Sequence, residues 1–183
     1  VVTVSGGAET GAIGDFVWHD LYHGPCHLVD GIQDAGEPGI PGVVVELLDA
    51  GQAVVASTLT DASGLYQFTG LAAGTYFVEI ASNNFQSGGA LDGWYATLQD
   101  RGTDEAEDGD GDLLTHRSDP VVLTAGEIDS DIDFGFFMTG IDLTKTGPSA
   151  VDAGETILFH FRVENTGDVV LHGGAQVYDS LIN

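Results

Sequence analysis

The chain has 183 residues, 27 of them glycine, and carries 29 acidic against 4 basic side chains, for a formal net charge of −25. Nucleic acid and anionic membrane surfaces are therefore poor partners, because phosphate binding relies on lysine and arginine to displace counterions. An apolar content of 43% with 9% aromatics is ordinary for a globular core and argues against a disordered acidic tail.

At the N-terminus, Val1-Val2-Thr3-Val4-Ser5 reads as an isolated β-prone strand, followed by the loose link Gly6-Gly7-Ala8-Glu9-Thr10-Gly11. It lacks the charged start and long apolar stretch of a signal peptide, and no run approaches the roughly 18 apolar residues needed to span a bilayer. The expectation is a mature, soluble piece without direct membrane insertion. Short β-rich runs bounded by Gly, Asp, Asn or Pro then follow: Gly42 to Leu48, Leu65 to Phe68, Thr75 to Ile80 and Ile128 to Phe137. No convincing helix is found. Turns such as Asp61-Ala62-Ser63-Gly64 and Ala73-Gly74 between these runs predict an all-β, antiparallel sandwich of Ig-like or prealbumin-like type. Through Ile128 to Phe136 the alternation sets isoleucine and phenylalanine on one face and Asp129, Asp131 and Asp133 on the other, which has to meet solvent or cations.

A boundary is expected near Thr139-Gly140, dividing the chain into residues 1–11, 12–138 and 139–183. Beyond it, Ile141 to Pro148, Thr156 to Asn165 and a stretch around Ala175 to Leu181 again read as strands. Residues 141–183 number roughly 43, about half of what a sandwich of this kind needs, so an incomplete second β-sandwich is predicted.

Two stretches make the larger unit distinctive: Ile13-Gly14-Asp15-Phe16-Val17-Trp18-His19-Asp20, and Asp30-Gly31-Ile32-Gln33-Asp34-Ala35-Gly36-Glu37-Pro38-Gly39-Ile40-Pro41-Gly42-Val43. Together with Thr60 to Tyr76, they resemble the B domains of bacterial serine-aspartate-repeat surface proteins, which are related to collagen-adhesin B-type stalk modules. The resemblance covers about residues 12–138 and implies a calcium-rigidified sandwich that spaces other domains from a cell surface. Residues 141–183 resemble the first half of a bacterial Ig-like surface repeat, through Asp142-Leu143-Thr144-Lys145-Thr146 and Val163-Glu164-Asn165-Thr166-Gly167. Related stalk modules often carry a Lys-Asn isopeptide crosslink, but residues 1–138 contain no lysine. That bond is excluded there.

Calcium takes six to eight oxygen ligands, and a twelve-residue loop supplies them around a glycine at its sixth position. Asp30-Gly31 followed by Glu37 fits the second half of such a loop. In that register Asp30 stands at position 5, Ile32 offers its carbonyl at 7, Asp34 stands at 9 and Glu37 is the bidentate ligand. The first half departs, since an unbroken count places Cys26 and Leu28 at positions 1 and 3. The related domains carry their first aspartate close after the tryptophan motif, so Asp20 is the candidate there, with Leu21 to Val29 as an insertion. A second candidate set draws on the acidic run Asp104 to Asp112: Asp110 and Asp112, with Asp131, Asp133 and Asp15, form either a further calcium cage or a mobile acidic loop.

His19, His23, Cys26 and His27 lie close together in sequence and offer imidazole and thiolate, ligands suited to zinc or copper. The loop is read as a transition-metal site, a partner-contacting loop or an exposed one, with Cys26 also available for an interchain disulfide. A single cysteine excludes an internal disulfide framework. No nucleophile and base arrangement, phosphate-cradling glycine loop or cofactor fingerprint is present, so no enzymatic activity is expected. Trp94-Tyr95 is read as core packing or as a carbohydrate-stacking pair. The resulting expectation is a calcium-stabilised stalk or filament subunit of an extracellular bacterial or archaeal surface assembly. Its partners would be neighbouring domains or copies of itself, the second sandwich being completed either head-to-tail by residues 1–5 of another copy or in cis by further residues of a longer repeat protein. The alternative is an adhesin domain recognising glycan or matrix protein.

Overall fold

In the computed structural model, residues 9–21, 29–170 and 176–178 are described. Strand β1 (Gly11–His19) is the spine of the larger unit. Its buried positions Ile13 and Val17 face a core to which Tyr66 and Phe68 of β4 (Leu65–Leu71) and Phe134 and Phe136 of β9 (Phe134–Met138) also contribute. The opposing layer contains β2 (Val44–Asp49), β3 (Val54–Leu59), β5 (Gly74–Ile80) and β7 (Val121–Leu123). From it Val45, Leu47, Val78, Ile80, Val121 and Leu123 close the core. The period-2 pattern explains this division, because alternate side chains of each strand leave opposite faces of a sheet.

Among the described residues, one sheet has the order β4-β1-β9-β6, where β6 is Trp94–Ala96, and the facing sheet has the order β3-β2-β5-β7. The all-β sandwich thus stands as expected. Antiparallel pairing holds between β1 and β4 and throughout the facing sheet. Strand β1, however, runs parallel to β8 (Ile128–Asp129) and to β9. The helical element described is a single 3-10 turn, Ser82–Phe85, and among the described residues no helix is long and apolar enough to cross a membrane.

The continuous strand read over Ile128 to Phe137 is broken. Ile13 is in register with Asp129 of β8, and Val17 with Phe134 of β9, so residues 130–133 leave the edge of β1 opposite Gly14 to Phe16. Phe16 N donates instead to Asp133 Oδ1 at 3.0 Å. A side-chain carboxylate thus takes the place of a ladder carbonyl, and the break gathers aspartates at mid-strand. The simple two-faced alternation fails accordingly: Ile128 is 69% exposed, whereas Asp133 is 1% exposed.

After β9, β10 (Ile141–Thr146) pairs with β11 (His160–Asn165) in an antiparallel hairpin. Ile141 and Leu143 remain exposed there. Residues 176–178 carry no strand. The rest of the Ala175 to Leu181 expectation, and the strand expected at Val1 to Ser5, lie outside the described residues.

Candidate metal centre

Asp20 follows directly on β1 and is almost fully buried. Its Oδ2 accepts from Gly31 N at 2.9 Å and from Thr97 Oγ1 at 2.6 Å, while Oδ1 is buried with no hydrogen-bond partner. Burial raises its pKa, and the neighbouring Asp30 charge adds to that, against the lowering effect of the Thr97 and Gly31 hydrogen bonds. Glu37, also buried, accepts from Leu21 N through Oε1 at 2.7 Å and from Asp34 N through Oε2 at 3.0 Å. Asp30 Oδ1 accepts from Ile32 N at 3.2 Å. Gly31 turns the loop with φ of +82°, and a Cβ at this position would lie 2.3 Å from Leu98 O. Asp20, Asp30, Asp34 and Glu37 are therefore drawn into one loop by backbone amides.

That loop lies against the second acidic segment. Ile32 forms an antiparallel bridge with Asp108, and Gln33 N donates to Glu107 O at 2.6 Å. One carboxylate oxygen each from Asp100, Asp108 and Asp110 lies within 4.8 Å of the other two. Asp108 Oδ1 is buried and unpartnered. Burial, with Glu105, Asp100 and Asp104 nearby, pushes the Asp108 pKa up to about 6. Asp100 was not foreseen. Its sequence neighbours announce nothing, and it joins the group because Asp100 N donates to Gly109 O across the loop at 2.9 Å. Asp108 lies within the acidic run Asp104 to Asp112, but the spacing of Asp110 and Asp112 does not point to it.

Asp110 links this group to the break in the β8–β9 edge. Its N donates to Asp133 O at 2.8 Å and its Oδ2 accepts from Asp133 N at 2.6 Å. Burial, followed by the charges of Asp108, Asp100 and Glu105, pushes Asp110 up to about 8. Asp133 Oδ2 is buried without a partner. Burial and then Asp15, Asp110 and Asp131 push the Asp133 pKa up to about 9. Asp15 is itself raised by burial and by Asp131. Four of the five residues in the second candidate set, Asp15, Asp110, Asp131 and Asp133, are thus brought into mutual influence. Asp112 is not among them: its Oδ1 accepts from Leu114 N, Thr115 N and Thr115 Oγ1, and these bonds hold its pKa down.

Of the proposed transition-metal ligands, His23, Cys26 and His27 lie outside the described residues. His19 is engaged elsewhere, with Nε2 2.8 Å from Asp168 Oδ2 and its ring edge-on to Trp94 at 4.5 Å between centroids. Tyr95 is more than half exposed and stacks on Phe137 at 5.8 Å.

Residues 11–136 match the SdrD B-like domain family. The chain belongs to this family. It is 38% identical over 141 residues to serine-aspartate repeat-containing protein C of Staphylococcus aureus (strain MRSA252), a match covering 75% of this chain and 13% of that protein. The same protein of strain N315 is also 38% identical, with 12% of its length covered. The chain therefore corresponds to a small part of these relatives. Among solved structures, the minor pilin GBS52 of Streptococcus agalactiae overlaps 70% of this chain and 45% of its own, with a TM-score of 0.40 and 13% identity. The Bacillus anthracis TIE protein overlaps 86% and 27%, with a TM-score of 0.42 and 10% identity. As an SdrD B-like domain, the chain is a non-enzymatic part of a cell-surface protein and is extracellular.

The donor set of this SdrD B-like domain is hard oxygen throughout. The hydrogen-bond partners of Asp20, Asp110 and Asp133 named above are backbone amides and a threonine hydroxyl, none of which carries positive charge. Buried carboxylates without counter-charge are costly unless protonated or bound to a cation. The donor chemistry is that of a hard divalent ion of calcium type, and among the described residues the carboxylates that come within 4.8 Å as a group are Asp100, Asp108 and Asp110.

Proposed function

We propose that this SdrD B-like domain is a calcium-stabilised spacer of an extracellular surface protein. The observation that carries the reading is the trio of buried, unpartnered carboxylate oxygens, Asp20 Oδ1, Asp108 Oδ1 and Asp133 Oδ2, set in adjoining acidic loops. Calcium would supply positive charge and oxygen coordination there. Asp20, Asp30, Asp34 and Glu37 would hold it at one end, with the Ile32 carbonyl contributing. Asp100, Asp108 and Asp110 form the neighbouring group, and Asp15, Asp131 and Asp133 the third. The chain's own amides orient these carboxylates, so the loops close on a cation without having to create the turn first.

Calcium titration of a chelated sample tests this. Melting temperature is expected to rise, with about 2.7 kcal/mol of added stability when free calcium stands at 100 times its dissociation constant. An unchanged melting temperature after chelation of a demonstrably loaded sample sinks the proposal.

Head-to-tail polymerisation is proposed as a further property. Its support is the exposed apolar row Ile141 and Leu143 on β10 with Val163 on β11, together with the β-prone sequence Val1 to Ser5, since an uncovered sheet invites strand addition. Polymers that persist after deletion of residues 1–5 exclude it. The adhesin reading is favoured by the exposed Tyr95, stacked on the half-buried Phe137, alone, and glycan binding that is lost in Tyr95→Ala would establish it.

A further inference from the structure

The sandwich and the β10–β11 hairpin are joined by more than the connecting chain. The turn that follows β11 folds back on residues 138–140: Thr166 N donates to Gly140 O at 3.1 Å, and Asp168 N donates to Met138 O at 2.8 Å. Asp168 Oδ2 accepts from Met138 N at 2.6 Å and lies 2.8 Å from His19 Nε2. One carboxylate therefore touches the last residue of β9 and the last residue of β1. A Cβ on Gly167 would lie 2.7 Å from the Thr139 carbonyl carbon, so backbone rests on backbone here.

The partner histidine is itself held. His19 N donates to Pro38 O at 2.9 Å, and its ring packs on Trp94. The next two residues serve the acidic loop: Asp20 N donates to Phe136 O at 2.8 Å while its carboxylate holds Gly31, and Leu21 N donates to Glu37. Three consecutive residues at the end of β1 thus face two structures. His19 faces the hairpin unit, and Asp20 and Leu21 organise the loop over residues 30–37.

We propose that Asp168 and His19 form a clamp that fixes the hairpin unit on the sandwich, and that calcium in the adjoining loop tightens this clamp by ordering the shared end of β1. The calcium clause rests on the reading under Proposed function, whereas the clamp stands without it. Reciprocity links the two: the factor by which calcium tightens the clamp is the factor by which the clamp tightens calcium binding. In a surface spacer the consequence is a joint that is stiff when the loop is loaded and loose when it is not.

The test uses the full chain in a Cys26→Ser background, with spin labels at Ser57→Cys on β3 and Arg162→Cys on β11. Distance distributions are measured with calcium and with chelator, alongside a calcium titration of each variant. The calcium-loaded parent is expected to give a narrow distribution that broadens on chelation. Asp168→Ala should be broad in both conditions and bind calcium about fivefold more weakly or worse. Asp168→Asn, which keeps an acceptor, and His19→Gln, which keeps a donor, should recover part of the narrowing. An Asp168→Ala distribution as narrow as the parent's overturns the clamp. A parent that binds calcium but keeps the same width on chelation overturns the coupling. A parent that binds no calcium sinks the coupling together with the proposed function, and the comparison of Asp168→Ala with the parent still decides the clamp. Retention of the sandwich's melting transition in each variant separates undocking from unfolding.

Discussion

Stripping the chain of metal with a chelator should make Asp110 and Asp133 the dominant pH-sensitive element of the sandwich. Their carboxyls are held at about 8 and about 9 by burial and by neighbouring carboxylates. A group whose folded pKa lies above its unfolded value binds an extra proton in the fold. Its stabilising contribution is complete below about pH 4 and is lost as pH rises through the folded pKa values. In that window each group removes about 1.4 kcal/mol per pH unit. Between pH 5 and 7 the two together remove up to about 5 kcal/mol, comparable with the whole stability of a marginal domain, about 5–15 kcal/mol. Urea unfolding of the chelated chain at several pH values, followed through the buried Trp18, should therefore show a midpoint that falls as pH rises. Net charge pushes in the same direction, so the decisive comparison is Asp133→Asn. The amide keeps an oxygen for Phe16 N and replaces the ionising oxygen with an NH2 group that does not ionise, so the slope should lessen by about 1.4 kcal/mol per pH unit. Calcium should flatten the parent's slope as well. Equal slopes for Asp133→Asn and the parent, or parent stability that rises from pH 5 to 7, would refute the reasoning.

Gly31→Ala should destabilise the chain by about 1–3 kcal/mol, since its φ of +82° is strained for alanine and its Cβ meets Leu98 O; urea midpoints check this, and calcium affinity measured in parallel should fall. Asp112→Ala should leave calcium stoichiometry unchanged, because that carboxylate is committed to the Leu114 and Thr115 turn; a lost equivalent in calorimetric titration would return it to the site. Tyr66→Phe should cost about 1 kcal/mol in thermal unfolding by removing the 2.6 Å bond from its hydroxyl to Ile132 O beside the aspartate break. Cys26→Ser should abolish zinc or copper uptake by elemental analysis if the inserted loop is a soft-metal site, and equal metal content in the two proteins excludes that reading.

Local sequence determined a good deal about this protein. Period-2 alternation and glycine-rich turns are near-neighbour properties, so the all-β sandwich and the runs that became β2, β4 and β5 were legible without any long-range contact. The D-G-x5-E spacing of Asp30, Gly31 and Glu37 was legible for the same reason, since one turn sets it. The tertiary structure decided which aspartates meet. Asp108 reaches Ile32, and Asp133 reaches Phe16 and Asp110, through pairings between segments far apart in the chain, while Asp100 joins them across its own loop through Gly109. It also broke the strand read across Ile128 to Phe137, because β8 and β9 each pair in parallel with a different half of β1 and an intact strand would have left no room for the aspartate nest. Asp112, chosen on spacing, failed to join because its own turn offered nearer donors than the distant cluster did. Spacing along a chain specifies a turn, but only packing between strands specifies which charges share a dielectric, and that sharing creates the candidate site.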